Sequence, residues 1–286
     1  MTGPARPQFD PAVATARLQA SGQVWWPVHH WQQTDSTQNQ LRQLLLRDPA
    51  PLHAWRLGVA DAQTAGRGRQ GAAWLAPVGS GLLLTLGGHL NLAPARWPQL
   101  SLLAGLAVLQ VLNHPELRLK WPNDVVVQRD GQWHKLAGLL CEQVQRPGQP
   151  PAWLCGLGLN LGHGADLPPT SGLAPMGLLD VGIAVPADEL AARLASHIRQ
   201  LAEAFAAGQP WPHQALDAVL AWQGQSVWLD FGPAEPQQLV TLVGLAAGGG
   251  LRWQQDPGGE VVAGTPLACR AGPGSLPAST VPPQEQ

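Results

Sequence analysis

The chain has 286 residues, 45% of them hydrophobic, which is ample for a buried core in one large domain or two. Only 13% are charged, against roughly 25% in ordinary soluble domains, and the net charge is −2, so there is no broad basic footprint for nucleic acid and any phosphate must be met locally. Cys141, Cys155 and Cys269 are an odd number without a C-x-x-C pair and read as buried free thiols in a reducing compartment. The start of the chain lacks an apolar signal core and the longest apolar run, Leu100 to Leu112, is too short to span a bilayer, so a cytoplasmic protein with no membrane partner is expected.

Pro11 to Ala20 predicts a short helix, which leaves no room for a helix-turn-helix module before the main fold. Trp25 to Gln33 reads as a strand. Asp35, Ser36 and Thr37 then offer N-cap residues ahead of the helical pattern Leu41, Leu44, Leu45. Capping is the ordinary role of Ser36 and Thr37, and it is compatible with a helix N-terminus presenting N–H groups to a ligand carboxylate or carbonyl.

A strand from Trp55 to Ala62 leads into Q-T-A-G-R-G-R-Q-G-A-A-W, Gln63 to Trp74. Gly66, Gly68 and Gly71 satisfy G-x-G-x-x-G literally. A dinucleotide loop, however, must open a helix and be followed about 20 residues later by an acid. Here Pro77, Gly79 and Gly81 follow, then the strand-like Leu82 to Leu86, and the later region reads Leu86-Gly87-Gly88-His89. Both tests fail, and no Gly-Lys-Ser/Thr ending makes it a Walker A loop. Taken alone the stretch is a glycine hairpin with exposed arginines.

Gln99 to Asn113 predicts an apolar helix buried on most sides. Glu116 to Lys120 returns as a strand into Trp121-Pro122-Asn123-Asp124, an ordinary turn on its own, followed by Val125 to Val127. Arg129-Asp130-Gly131-Gln132 is a hairpin turn, Trp133 to Val144 a strand carrying Lys135, and Trp153 to Asn160 a glycine-studded strand.

In this order and spacing, G-R-G-R-Q-G (Gly66 to Gly71), K-W-P-N-D (Lys120 to Asp124), K-L-A-G (Lys135 to Gly138) and G-L-G-L-N (Gly156 to Asn160), with the earlier D-S-T (Asp35 to Thr37), resemble the biotin protein ligases, also called biotin–acetyl-CoA-carboxylase ligases. The resemblance runs from Trp31 to Gly182 and more weakly to Arg270, and it is to the monofunctional form without a DNA-binding domain. It implies an α+β fold: a class II synthetase-like catalytic domain over residues 1–222, built as a mixed sheet with flanking helices, and a small SH3-like β-barrel over 223–270. It further implies that biotin and ATP, with Mg²⁺, give biotinyl-5′-AMP and pyrophosphate, and that a lysine of the biotin carboxyl carrier protein then takes the biotinyl group. No nucleic-acid partner is implied, and a homodimer is left open.

By motif match Lys135, Arg67 and Arg69 are the catalytic cations. Arg67 and Arg69 enclose the biotinyl and phosphate portions, and Lys135 meets the carboxylate and α-phosphate. Ser36, Thr37, Gln38 and Gln63 supply polar contacts to biotin, Trp74 packs over the adenylate, and Asn123 and Asp124 hold the nucleotide or, at Asp124, Mg²⁺. Gly66, Gly68, Lys120, Gly138, Gly158 and Asn160 complete the implied substrate-binding set. A lipoate or octanoate ligase of related fold and a non-catalytic biotin sensor are the alternatives. His134, where relatives often carry a basic residue, weakens the electropositive field or makes it pH-dependent.

Further on, His163 to Met176 reads as a Gly/Pro-rich rim loop, Pro186 to Ala207 and Gln214 to Trp222 as helices, and Ser226 to Arg270 as short strands of a small barrel. Residues 271–286, rich in Pro, Gly, Ser and Ala, are expected to be disordered. The nine histidines lack metal-ligand spacing.

Overall fold

Asp10 opens α1 (Pro11–Ala20) by accepting the N–H groups of Ala12 and Val13 at 2.8 and 3.3 Å, with Pro11 where a missing N–H costs nothing. The computed structural model describes residues 9–47, 54–146, 148–169, 172–255 and 258–273. The expected strand from Trp25 begins later, as β1 (His29–Thr34), because Trp25 makes only an isolated bridge to Trp55. α2 (Thr37–Arg47) follows the expected cap residues and buries Thr37, Gln38, Leu41 and Leu45.

The larger sheet adds β2 (Arg56–Gln63), β3 (Gly81–His89), β4 (Leu117–Lys120), β5 (Asp124–Arg129), β6 (Gln132–Arg146), β7 (Gln149–Asn160) and β8 (Ala174–Pro175). Its order is β1-β2-β3-β7-β6-β5-β4, with β8 beside β6. β1 with β2 and β6 with β8 are parallel and the other pairs antiparallel, so the sheet is mixed as expected. Asp130 and Gly131 close the β5–β6 hairpin with φ of 50° and 75°, the left-handed pair that a two-residue turn matching the strand twist requires.

α3 (Gln99–Leu112) packs between the sheet and α4 (Ala187–Ala206), which explains why nearly all its residues are buried. It ends at Asn113, whose left-handed backbone (φ 46°) returns its N–H to Leu109 O. α5 (His213–Ala218) is shorter than the helix expected to Trp222, because Val219 and Ala221 instead exchange backbone hydrogen bonds with Leu119 of β4. Arg199, buried on α4, lies over Trp25 and Trp55 at 5.2 and 5.5 Å, so part of the tryptophan content forms cation–π packing.

A second, antiparallel sheet contains β9 (Ser226–Asp230), β10 (Gln238–Leu245), β11 (Leu251–Gln254), β12 (Val261–Gly264) and β13 (Ala268–Ala271), in the order β12-β11-β10-β9-β13. No pairing joins β12 to β13 among the described residues, so by strand order this sheet is open. Trp121 Nε1 donates to Gly249 O and Gln99 Nε2 to Ala247 O, at 2.9 and 2.8 Å, tying it to the larger unit. Ala271, placed in the tail by its composition, belongs to β13, and 274–286 lie outside the described residues. Among the described residues no helix is long and apolar enough to cross a membrane.

Candidate functional site

The N-terminus of α2, the glycine loop and strands β2, β3, β6 and β7 converge on one cleft. Its closed end is polar. Gln38 Nε2 donates to Glu142 Oε2 (2.8 Å) and Leu140 O (3.2 Å), which turns its oxygen toward Thr85 Oγ1 at 3.2 Å. Thr85 Oγ1 in turn lies 2.8 Å from Thr37 Oγ1, and the Thr37 N–H donates to Gln63 Oε1 at 2.7 Å. Thr85 and Glu142 were missed from sequence. The available signals were a lone hydroxyl in the apolar strand Leu82 to Leu86, fully buried here, and a lone carboxylate after Leu139-Leu140-Cys141.

Asp35 accepts from Asn39 (2.7 Å) and Gln40 (3.0 Å) at the start of α2. The Asn39 bond leads a set of hydrogen bonds that outweighs burial and holds this carboxyl at about 2, below its ordinary 3.8. Asp35 O also accepts the Ala65 N–H, fixing the entry of the glycine loop to the helix start.

The loop folds on its own backbone, with Gly68 N–H to Ala72 O (2.6 Å) and Trp74 N–H to Gly66 O (2.9 Å). A Cβ on Gly66 would lie 2.5 Å from Trp74 O, so only glycine fits there. The reversal is made by Gln70 and Gly71, with φ of 53° and 77°, which makes Gln70 a strained position. Arg67 donates to Asn39 Oδ1 at 2.6 Å and stands 3.9 Å from Glu142. Arg69 is partly desolvated, which lowers its pKa, and Asp124 opposes that shift.

Across the cleft, Lys120 Nζ and Lys135 Nζ hold the two oxygens of Asp124 at 2.9 and 2.8 Å. Burial pushes this carboxyl up, but the two ammonium groups and their hydrogen bonds outweigh it and the pKa falls. Counted from sequence, Lys135 and Gly138 would face opposite sides of β6. A bulge in the β5–β6 pairing, where Val125 meets Ala137 and Val126 meets Lys135, skips Leu136 and puts both on the same side. A Cβ on Gly138 would lie 3.2 Å from Lys135 Nζ. The Trp74 indole lies flat against the bare backbone here, where a Cβ on Gly158 would be 2.3 Å from its Cε2. Lys135 Nζ is 5.4 Å from that ring.

The structure therefore brings together Ser36, Thr37, Gln38, Gln63, Arg67, Gly68, Arg69, Trp74, Asn123, Asp124, Lys135, Gly138 and Gly158. Three members of the expected set stand behind the cleft instead. Asn160 spends its amide on Lys135 O (3.2 Å) and Met176 O (3.0 Å), Gly66 closes the loop, and Lys120 is turned onto Asp124. Asn123 reaches the cleft wall, but its amide is engaged by Leu139 O at 2.7 Å. Mg²⁺ does not fit Asp124: both oxygens are already held by cations, and no cluster of three or more His, Cys, Asp or Glu exists among the described residues.

Residues 30–160 match the biotin/lipoate A/B protein ligase family. The biotin–[acetyl-CoA-carboxylase] ligase of Mycobacterium tuberculosis is 36% identical over 199 residues, covering 66% of this chain and 69% of that protein. The chain belongs to this family. The bifunctional ligase/repressor BirA of Escherichia coli is 33% identical over 150 residues, 51% of this chain and 46% of that protein, so the chain spans about half the length of the bifunctional relatives it matches. The biotin protein ligase of Aquifex aeolicus, solved in complex with biotin and ATP, superposes with a TM-score of 0.63 over 87% of this chain and 98% of that one, at 23% identity. That likeness places the family member in the biotin protein ligase fold.

Proposed function

We propose that this chain is an ATP-dependent biotin protein ligase, carrying out adenylation of biotin and transfer to a carrier-protein lysine. The observation that carries the reading is the convergence of Arg67, Arg69 and Lys135 on a cleft whose closed end is the Gln38–Thr85–Thr37–Gln63 relay. Biotin's ureido ring carries both donors and acceptors and satisfies such an end. A dithiolane or an alkyl chain offers no donor or acceptor to this polar end, which favours biotin over lipoate or octanoate.

In the first half-reaction a biotin carboxylate oxygen attacks the α-phosphorus of ATP and the bond to pyrophosphate breaks. Two anions must approach, so the work of the protein is charge neutralisation and alignment. Lys135, locked by Asp124 and the bulge, meets the carboxylate and α-phosphate, while Arg67 and Arg69 close over the adenylate. Trp74 shields the mixed anhydride from water until a lysine amine attacks the acyl carbon and AMP leaves. The cavity is about 180 Å³, below the roughly 300–1,000 Å³ of drug-sized ligand sites, so the cleft must widen to admit the second substrate.

In this reading residues 1–222 form the catalytic domain and 223–270 an SH3-like domain. The acceptor is a biotin carboxyl carrier protein, and the location is the cytoplasm. The test is biotin-dependent exchange of labelled pyrophosphate into ATP, followed by labelling of a carrier domain. Exchange with biotin and none with lipoate is expected. Lipoate-only labelling overturns the substrate, and absence of any exchange overturns catalysis in favour of a sensor.

A further inference from the structure

Two of the three cysteines face each other across β6 and β7. The register sets Cys141 opposite Cys155 without a bulge between them and the site. The backbone N–H and C=O of Leu139 both point to Asn123, away from β7. Two residues on, Cys141 faces the same way, so Cys141 and Cys155 form a pair that exchanges no backbone hydrogen bonds. At such positions the Cα atoms are about 4.5 Å apart and side chains come closest, within the roughly 4.4–6.8 Å that a disulfide bridges.

Their surroundings differ. Cys155 is fully buried, and its contact with Cys141 together with that burial keeps it a thiol. Cys141 is partly exposed and lines a cavity of about 540 Å³ between the two sheets. Of the two sulfurs only that of Cys141 is open to a small oxidant, and access decides which thiol reacts. We propose that Cys141 and Cys155 are a peroxide-sensitive dithiol, with Cys141 the sulfur that reacts first and Cys155 the one that resolves it.

The Cys141 sulfur attacks the hydroperoxide and the O–O bond breaks, giving a sulfenic acid and an alcohol, or water from hydrogen peroxide. The Cys155 sulfur then displaces the sulfenic oxygen, which leaves as water with the Cys155 proton. The thiols lose two electrons and the peroxide gains them. The neighbours of the pair carry the consequence to the cleft. Glu142 anchors Gln38 and Arg42 at 2.8 and 2.7 Å, and Gly156 lies so close to Gln38 that a Cβ there would sit 2.5 Å from its Oε1. On the ligase reading, which this last step rests on, the cross-link shifts Gln38 and weakens biotin.

Full-length protein is treated with hydrogen peroxide, alkylated under denaturing conditions and mapped by mass spectrometry, a readout independent of the ligase reading. The expected product has lost two hydrogens, carries a Cys141–Cys155 cross-link, leaves Cys269 open to alkylation and reverts with dithiothreitol. Cys269 is the internal control, since burial pushes it up to about 12. Cys141→Ser abolishes the cross-link, and in Cys155→Ala the Cys141 sulfenic acid persists and goes on to higher acids. Alkylation of all three thiols after treatment, or oxygen addition at Cys141 of the wild type without a cross-link, overturns the proposal. In pyrophosphate exchange the oxidised protein is expected to show a several-fold higher KM for biotin, restored by reductant, and an unchanged KM in fully cross-linked protein overturns the coupling to the site.

Discussion

Asp124 stands between Lys120 and Lys135, and this asymmetry separates the roles of two cations that look alike in sequence. Lys135 reaches the cleft, whereas Lys120 neutralises the carboxylate from behind. Lys135→Ala is expected to lower pyrophosphate exchange about a hundred-fold or more, the scale of removing one donor to developing charge, in a protein that still folds, with a lowered melting temperature because Asp124 loses one of its two cations. Exchange near the wild-type rate would leave Lys135 as a partner of Asp124 only. Thr85→Val keeps the volume of a fully buried side chain and breaks the relay between Thr37 and Gln38. Biotin affinity measured by calorimetry should fall about ten-fold, the scale of one buried group left unpaired.

Asp35 gives a residue-scale pH dependence. Its folded pKa of about 2 lies below the ordinary 3.8, so its contribution to stability is complete above 3.8 and is lost as the pH falls through 2. In Asn39→Ala, which lacks the largest of the hydrogen bonds responsible, the carboxyl should titrate closer to 3.8 in a carbon-detected NMR experiment. The urea midpoints of variant and wild type should converge on acidification.

At the scale of elements, the bulge at Leu136 decides which face of β6 carries Lys135, and the bare backbone of Gly138 and Gly158 makes the shelf for Trp74. Gly158→Ala is expected to destabilise the fold by about 1–3 kcal/mol, as overpacking does, because its Cβ collides with the indole. In a Trp74→Ala background the same change should cost much less, and a thermal-denaturation cycle in which the two effects simply add would show that the shelf does not bear the ring. The helix starts, the apolar face of α4 and the β5–β6 turn were legible because each depends on local pattern. The end of α5 was not, since its last residues are drawn off by hydrogen bonds to β4, distant in sequence.

For the whole molecule, the two sheets are joined through the same K-W-P-N-D segment that borders the cleft, since Trp121 donates to Gly249 O and is otherwise buried in the core. Trp121→Phe retains the apolar contact and loses the donor. It should lower stability by about 1 kcal/mol, seen as a small fall in the melting temperature, and an unaltered melting temperature would show that this hydrogen bond does not help to join the sheets. The sequence by itself determined the family, the mixed α+β order and most of the cleft residues, because short motifs with tight backbone demands survive as readable spacing: Gly66 to Gly71, Lys120 to Asp124, Lys135 to Gly138. Only the tertiary structure decided that Thr85 and Glu142 belong to the site, that Asn160 and Lys120 support it from behind, and that Cys141 meets Cys155. Those assignments depend on strand register and on a one-residue bulge, and either one moves a side chain from one face of a sheet to the other without altering any local pattern.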